Sequence, residues 1–242
     1  MNAQTVISIV CASLLTAYVL FATTFFPALP TDVRCKEVTI RVEDAGKRAY
    51  VTSKELQQYL TDECGSMIGV SADELPLGQI EQTLLKHPML RRAEAWCSPN
   101  GVLNVQVTQR EPVLRVMGDD NYYVDSDRRK MPVRTTTAAY VPVVTGRVSQ
   151  RFVTGELFDF VMWIEQDDYW RSQIEQIHVV SPQRVELVPR VGSGIVILGS
   201  LDNYVGKLRK LKKLYQNGFS AFGWTDYAEL DLRFKGQVVC RK

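Results

Sequence analysis

The sequence predicts an α+β protein: an N-terminal transmembrane helix, then a small β-α-α-β-β module, then a mixed, mostly antiparallel β domain with flanking helices. Three observations predict it. Residues 1–31 contain no Asp, Glu, Lys or Arg. Between Lys36 and Arg110, strand-like alternation brackets two stretches of helical periodicity, and beyond Val113 short apolar runs and turn residues recur around two longer helical patterns. With 242 residues, 45% of them apolar and 23% charged, the chain can bury a sizeable core. A net charge of +2 supplies no field that would argue for nucleic acid or an acidic partner.

Val6–Leu29 is dominated by Val, Ile, Leu, Phe and Ala. As a helix these residues reach roughly 36 Å at ~1.5 Å per residue, enough for a hydrocarbon core of ~30 Å with some tilt. Residues 1–5 form a short tail before it, and Phe25-Phe26-Pro27 falls near the exit interface. A cleaved signal peptide would carry a basic start and a shorter apolar run of about 7–15 residues. A helix buried in a soluble core would need apolar surroundings on every side, and the segment lacks the polar stripe of an ordinary soluble helix. Arg34, Lys36 and Arg41 follow the segment, so charge alone would place that side in the cytoplasm.

In the first module, Val38, Ile40 and Val42 share one face of a strand over 36–42. Thr52-Ser53-Lys54-Glu55 is a capping-box pattern opening a helix with Leu56, Tyr59 and Leu60 on its apolar stripe. A connection from Gly65 to Gly78 leads to a second helix, with Ile80, Leu84 and Leu85 on one face and a stop at His87-Pro88. The turn Ser98-Pro99-Asn100-Gly101 then joins two strands, and Leu103, Val105 and Val107 alternate with polar residues in the second.

In the second region, strands are expected over 114–117 and 122–124, around the turn Gly118-Asp119-Asp120-Asn121, and again over 141–144. Thr154 is placed to cap a helix with Leu157, Phe160, Val161 and Ile164 inward, ending near Asp167-Asp168. A strand over 174–180 follows, then a hairpin of 183–187 and 195–198 with Gly192-Ser193-Gly194 at its tip. Leu201, Val205, Leu208, Leu211 and Tyr215 mark a helix closed by Asn217-Gly218. Leu230, Leu232 and Phe234 alternate with Asp231, Arg233 and Lys235, which reads as a closing strand over 230–239.

Residues able to do chemistry are sparse. His87 and His178 are the only histidines, and neither has a partner at motif spacing. Gly192-Ser193-Gly194 lacks the following helix and third glycine of a dinucleotide loop, since Ile197 stands there, so it reads as a turn. Asp119-Asp120 and Asp167-Asp168 read as turn and helix-end residues, not as an acid-base pair. Cofactors, metals and small-molecule substrates are not expected. Cys35, Cys64, Cys97 and Cys240 lie beyond the apolar segment, where oxidation is open to them, and allow three full pairings. Three of the four share the first module, so one bridge is expected there. The run Lys207, Arg209, Lys210, Lys212, Lys213 reads as the solvated face of an amphipathic helix, with lipid headgroups as the other reading.

The helix ending in His87-Pro88, the strand Arg91-Arg92-Ala93-Glu94-Ala95-Trp96, the glycine turn and the close on Gln109-Arg110-Glu111-Pro112 resemble the second half of a POTRA domain. With the anchor before it, and Tyr122-Tyr123-Val124-Asp125, Val141-Pro142-Val143-Val144-Thr145-Gly146 and the Asp231-Leu232-Arg233-Phe234 strand after it, the chain resembles the FtsQ/DivIB family of bacterial cell-division proteins. The resemblance implies a POTRA-like domain over 36–110 and a β domain over 111–242. It also implies a non-enzymatic, single-pass inner-membrane scaffold of the divisome, with its C-terminal domains extracytoplasmic and at the septum, against the charge rule. FtsB-like and FtsL-like subunits, and other divisome proteins through the POTRA-like domain, are the implied partners, and no nucleic acid. The closing strand is the implied receiving edge for an FtsB-like segment, through Arg233, Phe234, Gly236, Gln237 and Val238. Two other readings stay open: a POTRA-bearing secretion or outer-membrane assembly component, and a membrane-anchored periplasmic enzyme acting on cell wall.

Overall fold

A computed structural model of the chain describes residues 11–21, 33–47, 49–134, 137–190, 194–217 and 227–242. Residues 11–21 are helical with their side chains exposed. The rest of the apolar segment 6–29 lies outside the described residues, and among those described no helix is long and apolar enough to cross a membrane. The chain divides into two compact units. One holds the residues before Gly46 with Thr52–Lys86 and Arg92–Thr108; the other holds Gly46–Val51, His87–Arg91 and Gln109–Lys242.

The first unit is built around β1 (Glu37–Val42), α1 (Ser53–Cys64), a 3-10 turn at Ala72–Glu74, α2 (Leu77–Lys86), β2 (Leu90–Cys97) and β3 (Val102–Gln109). The sheet order is β1-β3-β2, with β1 parallel to β3 from Glu37 opposite Val102 to Val42 opposite Val107. Parallel pairing needs a long crossover, which α1 and α2 supply. The capping box is complete: Thr52 Oγ1 accepts from the Glu55 amide at 3.2 Å, and Glu55 Oε2 accepts from the Thr52 amide at 2.8 Å. Leu56, Leu60, Ile80 and Leu84 of the helices and Leu103, Val105 and Val107 of β3 are all buried. Leu85, expected on the face of Ile80 and Leu84, is 42% exposed, because one further residue turns about 100° round the helix from Leu84.

The turn after β2 closes where Gly101 has φ +83° and an added Cβ would meet the Arg34 carbonyl at 2.4 Å, so a side chain there is excluded twice over. The expected disulfide is corrected. All five cysteines are free thiols, and each of the three in this module has its own acceptor: the Glu37 carbonyl for Cys35, Thr83 Oγ1 for Cys64 and the Ser98 carbonyl for Cys97.

The second unit comprises β4 (Pro112–Met117), β5 (Tyr122–Asp125), β6 (Lys130–Pro132), β7 (Val143–Gly146), α3 (Gln150–Thr154), α4 (Glu156–Gln166), α5 (Asp168–Gln173), β8 (Ile174–Ser181), β9 (Arg184–Pro189), β10 (Ile195–Gly199), α6 (Tyr204–Asn217), β11 (Glu229–Asp231) and β12 (Val239–Arg241). They form one nine-stranded sheet in the order β12-β11-β10-β9-β8-β7-β4-β5-β6. The pairs β4–β7, β7–β8 and β10–β11 run parallel, while β4–β5, β5–β6, β8–β9, β9–β10 and β11–β12 run antiparallel. Leu157, Phe160, Ile164, Leu208 and Leu211 from the helices pack with Leu114, Val144, Ile177, Val185, Val196 and Leu230 from the strands in one core.

Three elements were not anticipated: β6, α3 and α5. Thr154 ends α3 and does not cap the next helix; Ser149 caps α3 through the Phe152 amide at 3.3 Å. Asp167, expected as a helix end, also begins α5, its Oδ1 accepting from the Tyr169 and Trp170 amides at 2.9 and 3.3 Å. Gly192 and Ser193 of the hairpin tip, and Gly218 at the close of α6, lie outside the described residues.

Candidate partner-binding edge

The expected single strand over 230–239 is corrected: it is two short strands and a turn. β11 stops at Asp231, residues 234–236 turn, and β12 returns antiparallel with Glu229 opposite Arg241 and Asp231 opposite Val239. Leu230 and Leu232 are buried as the alternation requires, but Asp231 between them is buried too, and Phe234 is 43% exposed. Asp231 bends the chain by accepting the Arg233 amide at 3.1 Å, and Gly236 takes φ +77°. Lys235-Gly236 was the turn signal that the alternation masked.

Arg233, Phe234, Gly236 and Gln237 are therefore exposed loop residues, and Val238 is half-buried against the core. Arg233 folds back over its own sheet. Its Nε and Nη2 donate to Asp231 Oδ1 and Oδ2 at 2.9 and 2.7 Å, and its stem lies where a Cβ on Gly199 would meet Arg233 Cγ at 2.8 Å. These bonds hold the Asp231 carboxyl below the usual carboxylate range and raise the Arg233 guanidinium. Arg241 continues the ladder with Glu229 at 2.8 Å.

β12 is the terminal strand of the sheet, and among the described residues no strand pairs with its outer side. Its backbone N–H and C=O groups on that side are what a further strand would use. Val239, Cys240 and Arg241 make this edge; the expected strand reached Val239 and left out Cys240 and Arg241.

The basic helix also differs from expectation. Arg209 and Lys213 are exposed, but Lys207 donates to the Ser200 carbonyl at 2.8 Å and Lys212 sits 4.1 Å from the Tyr169 ring centre. Lys210 Nζ donates to the carbonyls of Leu232 at 3.2 Å, Phe234 at 2.5 Å and Gln237 at 3.1 Å, and its burial, then Lys207, lower its pKa. No local pattern in the sequence marks that lysine out from its neighbours.

The histidines have local roles. His87 Nδ1 accepts from the Met89 amide at 3.3 Å, and His178 Nδ1 lies 2.9 Å from Thr145 Oγ1. Among the described residues no cluster of His, Cys, Asp and Glu could hold a metal.

The chain thus joins a three-stranded β-α-α-β-β module to a nine-stranded mixed sheet that ends on β12. A POTRA-like domain model matches residues 33–108, and a model described as FtsQ/DivIB, C-terminal related, matches residues 111–241. The chain belongs to the FtsQ/DivIB family, which consists of membrane-anchored bacterial cell-division proteins and is in general non-enzymatic. No curated protein matches it.

Proposed function

We propose that the chain is a non-enzymatic scaffold of the divisome, held in the inner membrane by residues 6–29, with 36–110 and 111–242 as its extracytoplasmic domains. In this reading the POTRA-like domain aids recruitment, and the β domain binds FtsB-like and FtsL-like subunits to help control septal peptidoglycan synthesis. The observation that carries it is the open outer side of β12 beside a loop that exposes Phe234. An extended segment adding there would gain main-chain hydrogen bonds, with alternate side chains giving specificity. Arg233 contributes through its hold on Asp231, Phe234 by direct apolar contact, and Gly236, Gln237 and Val238 through the path into β12.

Phe234→Glu is the direct test. The side chain is half in solvent, so the variant should fold with an unchanged thermal midpoint yet lose co-purification with the FtsB/FtsL-like pair and leave dividing cells filamentous. Retained co-purification would sink the interface.

A further inference from the structure

The hairpin loop is shaped by a residue outside it. Lys210, on α6, directs one ammonium at three carbonyls spread over 232–237, at 3.2, 2.5 and 3.1 Å. An ammonium has three donors and no acceptor, so these bonds fill its capacity. Three inward-pointing carbonyls repel one another unless a cation gathers them, and the side chain arrives from a helix anchored in the core by its neighbours Leu208 and Leu211. The loop needs such a tie. Gly236 has open space around its Cα, Phe234 and Gln237 are exposed, and Val238 is the first residue after the turn to pack on the core.

We propose that Lys210 is the positioning residue of the partner-binding edge, setting the path of 232–237 and so the presentation of Phe234 and of the open side of β12. The inference rests on the partner reading of this hairpin. It adds that affinity depends on a residue touching no partner atom, because a loop ordered in advance loses less freedom on binding.

The experiment uses the full chain in detergent, with the extracytoplasmic segment of the FtsB-like subunit from the same genome as the probe. Lys210→Met keeps the stem and removes the donors; Lys210→Gln keeps part of the donor set. In the Met variant, amide exchange over 232–240 should rise about tenfold while β8 and β9 stay protected, and affinity for the segment should fall about tenfold, with Gln intermediate. Phe234→Ala should cost less in the Met background than in the wild type, since Lys210 acts by presenting that ring. Unchanged loop exchange, unchanged affinity, a Gln variant no better than Met, or losses that simply multiply each overturn the proposal. Failure of the wild-type chain to bind the segment overturns the partner reading and the interface role with it, and loop exchange alone then decides whether Lys210 is a clamp.

Discussion

At the scale of single residues, Arg110 and Asp125 carry the second unit's most exacting arrangement. Arg110 Nη1 meets Asp125 Oδ2 at 2.6 Å with the two side chains only 10% and 1% exposed. Each partner has further bonds: Arg110 Nε donates to the Leu90 carbonyl, and Asp125 Oδ1 accepts from the Asp127 and Arg129 amides. Beside them, buried Gln109 Oε1 accepts from the Tyr50 and Val51 amides at 2.9 and 3.0 Å. A buried ion pair supported by hydrogen bonds on both partners is stable, and the same pair with one member removed leaves a buried charge. Arg110→Met should therefore destabilise the chain by about 3–5 kcal/mol, read by urea unfolding with tryptophan fluorescence. A change under about 1 kcal/mol would place Asp125 in contact with water. The sequence singled out Gln109-Arg110-Glu111-Pro112 as a motif, but gave no hint that its arginine finds an aspartate in the Tyr122-Tyr123-Val124-Asp125 strand. An ion pair between a connecting residue and a strand further along carries no local signature.

At the scale of elements, legibility follows how local each determinant is. Thr52 and Glu55 were readable because both halves of the capping box lie within one turn. The end of β11 was not, because the turn is fixed by Asp231 locally and by Lys210 from a helix more than twenty positions earlier, while Leu230 and Leu232 keep the strand rhythm going past the break. The hairpin should respond to acid. Asp231 is bonded chiefly by Arg233, with Arg241 Nη2 3.7 Å away, and its folded pKa is lowered. A depressed carboxylate stabilises the fold fully above the unfolded value of about 4, and this is lost as pH falls through the lower folded value. Amide protection over β11 and β12 should hold at neutral pH and fall once the pH drops below the ordinary carboxylate range. Asp231→Asn should show weaker protection already at pH 7 and a flatter profile; a wild-type hairpin that kept full protection to pH 2 would contradict the assignment.

At the scale of the molecule, element order was more legible than any boundary. The helix, stop, turn and alternation over 79–107 agree with one another, and agreement across levels is what made the first module readable. The nine-stranded sheet was harder, since β6 and β12 span three residues each and too few positions alternate to be told from loop. The proposed orientation sets the charge rule against the family. Arg34, Lys36 and Arg41 favour retention of the C-terminal side, while Asp32, Glu37, Glu43 and Asp44 offset them only weakly, and the tail before Val6 carries no basic residue. If export of the folded domains prevails, protease added to intact spheroplasts should digest the β domain while a cytoplasmic marker survives, and membrane extraction at alkaline pH should leave the full chain in the bilayer fraction. Placing two or three lysines before Val6 should leave this pattern unchanged or sharpen it, because the added charges favour an N-terminus held inside. Protection of the β domain in spheroplasts would instead make the basic residues after the apolar segment the dominant signal, and would put the β12 edge on the wrong side of the membrane for the partners proposed.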